Sequence, residues 1–395
     1  MDFSLTDEQK KLRQEFYDVC KDLASKRPEG FTGLEGCYDT DEGWEYHRYC
    51  GKEFAKRNWL ALGWDPKYGG QGTMLEKTFL SEATGYYDVP GVDIFGVDML
   101  APTLHAVASE EIKKEYLPSI RSSDRIWCEL WSEPNAGSDL AALKTSAVKQ
   151  GNEYVINGQK IWSTGAHRGH WAFALVRTDP NVDKKQKGIT FLLMDMKTPG
   201  ITVKPLHYMD GGHLYNEVFL DDVRVPINQV VGNENEGWAV TQTLANFERS
   251  SLGAIMAMHR QLEQMVEYCN ETKVRGEPLA RNVLIRNKLA ELACELWAAH
   301  ALAYKIVDAQ HRHEMAAFDA SGVKVISGEL QAKFAQVGCE ILGPYGQAKH
   351  SKWAAFEGFF EKWYQQSFIL NVAMGTNEIQ RNIIAWYGLG LPRMK

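Results

Sequence analysis

The sequence has no long apolar run and no strongly basic segment. The apolar run from Ser250 to Met258 is much shorter than the roughly 20 residues that a membrane-spanning helix needs. In the 395-residue chain, Lys and Arg number 44 and Asp and Glu 51, so the net charge is −7 and argues against binding to a phosphate backbone. The first residues are acidic and lack an apolar stretch, so we do not expect a signal peptide. We therefore expect no membrane span and no nucleic-acid partner.

Paired cysteines and metal-binding motifs are also missing. The seven cysteines are an odd number, are widely spread, and include no Cys-x-x-Cys. This pattern favours reduced thiols in a cytoplasmic protein over a disulfide framework or a zinc site. His167 and His170 are close in sequence, but isolated histidine pairs near strands are usually structural. We expect no metal.

Several common catalytic motifs are absent as well. The chain has no G-x-x-x-x-G-K-[ST], no G-x-S-x-G and no H-E-x-x-H. Gly388-x-Gly390 lacks the third glycine of a dinucleotide-binding fingerprint. These absences exclude a P-loop nucleotidase, an α/β-hydrolase and an H-E-x-x-H metalloprotease.

What the sequence does contain is three regions of different periodicity. Residues 1–122 are predicted to be helical, and Thr6 with Gln9 forms a capping box at the first helix. Residues 123–230 change to period two, with Asn157-Gly158 as a hairpin signal. Four further strands are expected over 171–177, 189–194, 201–206 and 217–225.

Helical periodicity returns in residues 231–395. One apolar stripe is formed by Ile285, Leu289, Leu292, Leu296, Ala299 and Ile306. Such a stripe is typical of a helix in a bundle, and we expect at least four long helices between about 236 and 387. The predicted fold class is therefore α+β and multidomain: an N-terminal helical domain, a middle β-barrel or sandwich domain, and a C-terminal four-helix bundle.

Two short blocks are rich in residues that suit ligand contact. The segment 130–140 combines small residues, turn formers and hydroxyls, which let a backbone approach a flat or phosphorylated ligand. The segment 157–165 carries Trp162 two residues before Thr164, which could stack on a ring system and donate a hydrogen bond. A tight interdomain turn and a buried core tryptophan are the alternatives.

Together these blocks resemble the signature regions of the acyl-CoA dehydrogenase family of flavoproteins. The segments 63–72 and Gly375-Thr376-Asn377-Glu378-Ile379-Gln380-Arg381 also fit that family, in the expected order along the chain. The resemblance implies FAD as cofactor. It implies that FAD is held by Trp131, Ser132, Trp162, Thr164, Gly343, Thr376 and Glu378.

The resemblance also bears on the catalytic base and the substrate. Many members have a Glu immediately before the Gly-Thr of the C-terminal motif, but Met374 stands there, and a thioether cannot accept a proton at neutral pH. Isovaleryl-type and long-chain-type members carry the base on a bundle helix before an Arg, which matches Glu248. The acyl-CoA would contact residues at five positions, namely Ser138, Asn246, Arg249, Asp93 and Asp98. The two aspartates are the alternative bases, and an ordinary exposed helix glutamate is the alternative role of Glu248.

The expected activity is the FAD-dependent α,β-dehydrogenation of an acyl-CoA that carries a branched, cyclic or aryl-substituted acyl group. Electrons would pass to electron-transfer flavoprotein, and the protein would be a homo-oligomer, with a homotetramer favoured. Two alternatives remain open. One is a flavin oxidase or monooxygenase of the same fold, and the other is a catalytically silent subunit of a heteromeric acyl-CoA dehydrogenase.

Overall fold

The computed structural model describes residues 4–31, 33–247, 252–312 and 317–393. The helices are α1 (Asp7–Ala24), α2 (Gly33–Gly36), α3 (Asp41–Lys56), α4 (Met74–Tyr87), α5 (Ala101–Val107), α6 (Glu110–Arg121), α7 (Gly237–Phe247), α8 (Leu252–Glu271), α9 (Val283–His311), α10 (Ala317–Leu342), α11 (Phe359–Gln366), α12 (Ile369–Val372) and α13 (Asn377–Ile383). The strands are β1 (Trp127–Leu130), β2 (Ser146–Gln150), β3 (Glu153–Lys160), β4 (Trp171–Arg177), β5 (Ile189–Asp195), β6 (Ile201–Leu206), β7 (Tyr215–Pro226), β8 (Lys273–Val274) and β9 (Glu277–Pro278). No helix in the described part of the chain has the length and apolar character that crossing a bilayer requires.

The chain divides into two compact units. The first comprises Met1–Lys26, Met74–Val89 and Arg249–Lys395, and the second comprises Arg27–Thr73 and Pro90–Glu248. The predicted order of helical, β and helical regions is confirmed, because the seven strands β1–β7 follow six helices and precede seven.

The first unit is a helical assembly around α8, α9 and α10. Its α1 begins as predicted, since the hydroxyl of Thr6 accepts from the amide of Gln9 while the Gln9 side chain accepts from the amide of Thr6. The predicted stripe of α9 is confirmed, because its leucines from Leu289 to Leu296 lie in a buried cluster with side chains of α8 and α10. Apolar burial of this kind is the main source of stability for such helices.

A buried carboxylate joins three helices of this unit. Glu82 of α4 is fully buried and accepts from Arg13 Nε of α1 at 2.8 Å and from the Tyr304 hydroxyl of α9 at 2.6 Å. Burial and the Glu82 charge together raise the pKa of Tyr304, so its proton stays on the phenol. Removing one partner from such a pair costs about 3–5 kcal/mol.

The second unit is built on one mixed sheet. Among the described residues the strand order is β1-β4-β2-β3-β7-β6, with β5 paired to β4. The β1–β4 pair is parallel, while β2–β3, β3–β7, β6–β7 and β4–β5 are antiparallel. All four strands predicted after residue 170 are confirmed, and their apolar side chains form the buried core of the sheet.

The hairpin predicted at Asn157-Gly158 is wrong. Strand β3 continues through both residues and pairs with β7, with a register irregularity at this dipeptide. The turn between β2 and β3 lies instead at Gly151, which has φ +62°. Gly158 serves close packing, because a Cβ there would lie 2.4 Å from Thr145 Oγ1. Asn157 exchanges two hydrogen bonds with Asp222 of β7 rather than forming a turn.

Candidate active site

The first predicted cofactor residues follow strand β1. Trp131 is 9% exposed, and its ring makes edge contacts with Phe173 and Phe191 at centroid distances of 6.0 and 6.5 Å. Its indole N–H is buried and has no hydrogen-bond partner among the described residues. Ser132 is half-buried, and its carbonyl accepts from the amide of Ile161 at 2.9 Å. A buried indole donor without a partner fits a ligand that brings an acceptor.

A buried ion pair links the two motif blocks. Lys160, at the end of β3, is fully buried and donates to Glu133 Oε1 at 2.9 Å, to the Trp131 carbonyl at 3.1 Å and to the Leu175 carbonyl at 2.7 Å. Its three ammonium protons therefore all have acceptors. Burial lowers the pKa of Lys160 to about 8, against the opposing charge of Glu133. Lys160 thus fixes the backbone of Trp131.

Glu133 is held by backbone groups on the other side. Its carboxylate accepts from the amides of Lys144 at 2.7 Å and Thr145 at 2.8 Å. Burial opposes the charged form, but Lys160 and these hydrogen bonds together keep the pKa of Glu133 below its usual value. Sequence reasoning missed this pair, and the available signal was a lysine and a glutamate of opposite charge inside two blocks selected for other reasons.

The turn after β3 presents two of the predicted cofactor residues. Trp162 is 57% exposed and has φ +60°, a conformation that costs a non-glycine residue of order 1 kcal/mol. Thr164 is half-buried, whereas Ser163 between them is buried. Gly165 closes the turn at φ +61°, where a Cβ would lie 2.6 Å from the Tyr38 ring. An exposed tryptophan on a strained, well-anchored turn suits stacking on a planar ligand.

The proposed substrate residues of this unit differ in exposure. Ser138 is exposed, on a loop whose next residue, Asp139, pairs with Lys185 at 2.6 Å. Asp98 is half-buried. Asp93 is 3% exposed, and its Oδ2 accepts from the amide of Trp127 at 3.0 Å. Burial raises the pKa of Asp93 to about 7, and its Oδ1 has no partner in the described part of the chain.

The remaining cofactor residues lie in the helical unit. Thr376 caps α13, with its hydroxyl accepting from the amide of Ile379 at 3.2 Å, and Glu378 is exposed in the first turn. Met374 precedes them at φ +57°. Gly343 follows α10 with φ +59°, and the space around its Cα is open.

Two buried amides hold the segment of Met374. Gln380 donates from Nε2 to the Met374 carbonyl at 2.8 Å and accepts from Ser321 Oγ at 2.7 Å. Asn377 accepts from Lys324 Nζ at 2.8 Å. These residues were part of the recognised motif, but only the structure shows that their side chains face inward.

The predicted base lies in a segment outside the described residues. Glu248 and Arg249 lie outside the described residues, between the end of α7 and the start of α8. Asn246 belongs to the last turn of α7, and its side chain also lies outside the described set. Glu248 therefore stays a prediction. None of the described histidines, cysteines and acidic residues form a group of three or more arranged to hold a metal ion.

The residues present fit FAD in each unit separately. In the sheet unit, an exposed indole and a buried unpartnered indole N–H suit a flat ring with hydrogen-bond acceptors. In the helical unit, the hydroxyl-capped start of α13 offers donors to an anionic group.

Comparison with known proteins agrees with this description. Three family profiles match in order: acyl-CoA dehydrogenase N-terminal domain over residues 6–124, middle domain over 128–223 and C-terminal domain over 235–387. The chain is 32% identical over 369 residues to acyl-CoA dehydrogenase IpdE1 of Mycobacterium tuberculosis, covering 91% of this chain and 92% of that protein.

Solved structures give the same result over the full length. The ChsE4–ChsE5 complex from Mycobacterium tuberculosis has a chain that superposes with TM-score 0.90 at 30% identity, covering 100% of both chains. The Tcur3481–Tcur3483 steroid ACAD superposes with TM-score 0.88 at 29% identity, again with 100% of both chains covered. The chain belongs to the acyl-CoA dehydrogenase family of FAD-dependent oxidoreductases.

Proposed function

We propose that the protein removes the α-proton and β-hydride of an acyl-CoA thioester with a branched, cyclic or aryl-substituted acyl group. The family membership over the whole chain carries this proposal, because it fixes the reaction type. A relative described as a steroid enzyme supports a ring-bearing acyl group. FAD, when bound, accepts the hydride.

We assign proton abstraction to Glu248. The α-proton of a thioester is weakly acidic, so its removal needs a carboxylate beside it and donors at the thioester oxygen. Met374 supplies no carboxylate at the position before Gly375-Thr376, and Glu248 followed by Arg249 matches the alternative position in the family. We assign Arg249 to setting the charge around Glu248.

The other proposed roles follow from the resemblance of each motif to those of the family. Trp131, Ser132, Trp162 and Thr164 would contact the flavin ring, and Thr376, Glu378 and Gly343 would hold the rest of FAD. Ser138, exposed on its loop, would bind the CoA arm together with Asn246. Asp93 and Asp98 would line the acyl pocket. Asp93 also anchors the first residue of β1, which gives it a structural role that Asp98 does not share.

The test is anaerobic bleaching of the flavin by a panel of acyl-CoA thioesters. Glu248→Gln should slow bleaching by about 10²–10⁴-fold, the usual contribution of a general base. Glu267→Gln, which changes an exposed glutamate of α8, is the matched control and should leave the rate unchanged. Equal rates in the Glu248→Gln variant and the unchanged protein would rule out this base, and Asp93→Asn and Asp98→Asn would then be measured.

We propose electron-transfer flavoprotein as the electron acceptor and a homotetramer as the assembly, acting in the cytoplasm. The rate at which the reduced enzyme is reoxidised distinguishes a dehydrogenase from an oxidase. Slow reaction with air and fast reaction with electron-transfer flavoprotein support a dehydrogenase. Fast peroxide formation without a carrier protein would show an oxidase instead.

A second candidate is one subunit of a heteromeric dehydrogenase. It is favoured by Met374 and by a similar structure that is described as a complex of two components. The purified chain would then bind less than one FAD per chain, and Glu248→Gln would not change bleaching. One FAD per chain in a particle of four identical subunits contradicts this candidate.

A further inference from the structure

The turn of residues 162–165 is held by strand β7, and Asn216 makes two of the hydrogen bonds. Asn216 of β7 is fully buried, and its backbone carbonyl accepts a hydrogen bond from the amide of Ser163 at 3.0 Å. Its side-chain Nδ2 donates to the Ser163 carbonyl at 3.0 Å. Both backbone polar groups of Ser163 are therefore bound by one residue, and this keeps Trp162 and Thr164 on the outer side of the turn.

The orientation of the Asn216 amide is set by its neighbours. The carbonyls of Ser163 and Leu214 lie 3.0 and 3.4 Å from one end of the amide, and a carbonyl only accepts hydrogen bonds. This end must be the NH₂ group. The opposite end is the oxygen, which lies 2.8 Å from His213 Nε2 and must accept a hydrogen bond from its N–H.

The same constraint fixes the protonation of His167. Its Nδ1 lies 3.1 Å from Asn216 Nδ2, a donor, so Nδ1 must accept. Its Nε2 lies 3.1 Å from the Tyr38 carbonyl and must donate. His167 is therefore a neutral imidazole with its proton on Nε2. A second proton on Nδ1 would point at the NH₂ group of Asn216.

The surroundings of His167 oppose a second proton. Burial lowers the pKa of His167, and His213 and Arg168 lower it further, against the hydrogen bonds to Tyr38 and Asn216, which raise it. The rings of His167 and His213 are stacked with centroids 3.9 Å apart. The other titratable or charged groups nearby are His207, whose ring is 5.4 Å from that of His213, Asp39, which accepts from the amide of His213, and Asp41, which pairs with Arg168.

We propose that Asn216 is a positioning residue for the flavin-facing turn and that the neutral form of His167 maintains its hydrogen bonds. This inference rests on the proposed contact of Trp162 and Thr164 with FAD. When His167 gains a proton, Asn216 must rotate its amide to present oxygen to Nδ1, and the bonds to the Ser163 and Leu214 carbonyls are lost. The turn then keeps its backbone hydrogen bonds but loses the side-chain bonds that help to hold the strained Trp162 backbone.

The pH dependence follows from the direction of the His167 shift. A histidine with a lowered pKa in the folded protein contributes stability above its unfolded value of about 6.5, and this stability is lost as the pH falls towards the folded value. FAD affinity of the unchanged apoprotein should thus fall on acidification. Asn216→Asp should show the opposite trend, because its carboxylate repels the carbonyls at neutral pH but accepts from protonated His167 at low pH.

The experiment is titration of apoprotein with FAD, followed by flavin fluorescence, between about pH 5.5 and about pH 8.5, on either side of the usual histidine pKa. At neutral pH, Asn216→Asp should weaken FAD binding by about tenfold, the effect of losing one or two buried hydrogen bonds. Acidification should reduce the difference in FAD affinity between Asn216→Asp and the unchanged protein. Asn228→Asp adds the same charge to an exposed asparagine of the same unit and should behave like the unchanged protein.

A second variant decides the matter if Asn216→Asp does not fold, as judged by near-ultraviolet circular dichroism. His167→Asn keeps an oxygen acceptor close to the position of Nδ1 but cannot titrate, so the fall of FAD affinity on acidification should be smaller than in the unchanged protein. An equally large fall of FAD affinity on acidification in His167→Asn and in the unchanged protein, or an Asn216→Asp profile parallel to that of Asn228→Asp, would overturn the proposal. FAD binding is read without substrate, so a failure of the proposed dehydrogenation would leave these outcomes unaffected.

Discussion

Two turns of this protein are each held by a buried amide side chain, but the groups that contact the two amides differ. In the sheet unit Trp162 has φ +60°, and in the helical unit Met374 has φ +57°. Each turn is held by a buried amide side chain, Asn216 in the first and Gln380 in the second. Asn216 bonds to two imidazoles, whereas Gln380 bonds to the Ser321 hydroxyl. The backbone requirement is therefore the same, but only Asn216 contacts imidazoles, which can gain a proton on acidification.

The buried lysines of the two units also differ in the hydrogen-bond partners that the structure shows. Lys160 meets the carboxylate of Glu133, whereas Lys324 donates to the neutral amide of Asn377. A charged partner makes removal of the lysine more costly, because a buried carboxylate is left without its counterion. The backbone of Trp131, a proposed flavin contact, is therefore held through a buried ion pair, whereas Lys324 holds Asn377 through its neutral amide.

The largest expected effect tests this difference in charge. Lys160→Met should lower the free energy of unfolding by about 3–5 kcal/mol, because Glu133 loses its counterion. Lys324→Met should cost less, about 1–3 kcal/mol, because the Asn377 amide that loses its hydrogen bond is neutral. Urea unfolding of the apoproteins measures both. Adding Glu133→Leu to Lys160→Met should recover part of the loss, and equal losses for the two lysines would contradict the comparison.

The next effect concerns Gln380, the uncharged amide that holds the turn at Met374. Gln380→Ala should destabilise the protein by about 1–3 kcal/mol, since the Met374 carbonyl and the Ser321 hydroxyl lose a buried partner. The loss should be the same at pH values on both sides of the usual histidine pKa of about 6.5. Thermal unfolding across this range provides the measurement. Gln336→Ala, at an exposed position of α10, is the control and should change stability by less than about 0.5 kcal/mol.

The smallest effect concerns backbone strain. Glycine at either turn should raise stability by about 0.5–1 kcal/mol, because relief of the left-handed conformation outweighs the added freedom of the unfolded chain. Trp162→Gly should also weaken FAD binding, since it removes the stacking surface, whereas Met374→Gly should leave FAD binding nearly unchanged. Calorimetry and FAD titration report the two quantities separately. Unchanged FAD affinity in Trp162→Gly would show that this indole does not face the flavin.

Local patterns predicted much of the fold. The capping box at Thr6 and the stripe of α9 depend on residues three or four positions apart, and both are present. The Asn157-Gly158 dipeptide misled because the same residues suit a turn and an irregularity within a strand. The choice between these was made by Thr145, whose close approach no local pattern reveals.

For the candidate site, the motifs identified the segments that match the family, but not the residues that hold these segments in place. Trp162 and Thr164 belong to a recognised block, yet Asn216 lies far from it in sequence and carries no motif. Lys160 lies inside a block, but its burial and its contact with Glu133 require the sheet to be assembled.

The sequence alone determined the order of helical and β regions, the family, and the exclusion of Met374 as a base, because periodicity, short motifs and side-chain chemistry are local properties. The tertiary structure decided which amide holds which turn, which lysine meets a carboxylate, and which proton His167 carries. These depend on distances between residues remote in sequence, since a hydrogen bond or a buried charge pair exists only when folding brings donor and acceptor to about 3 Å and removes the competing water.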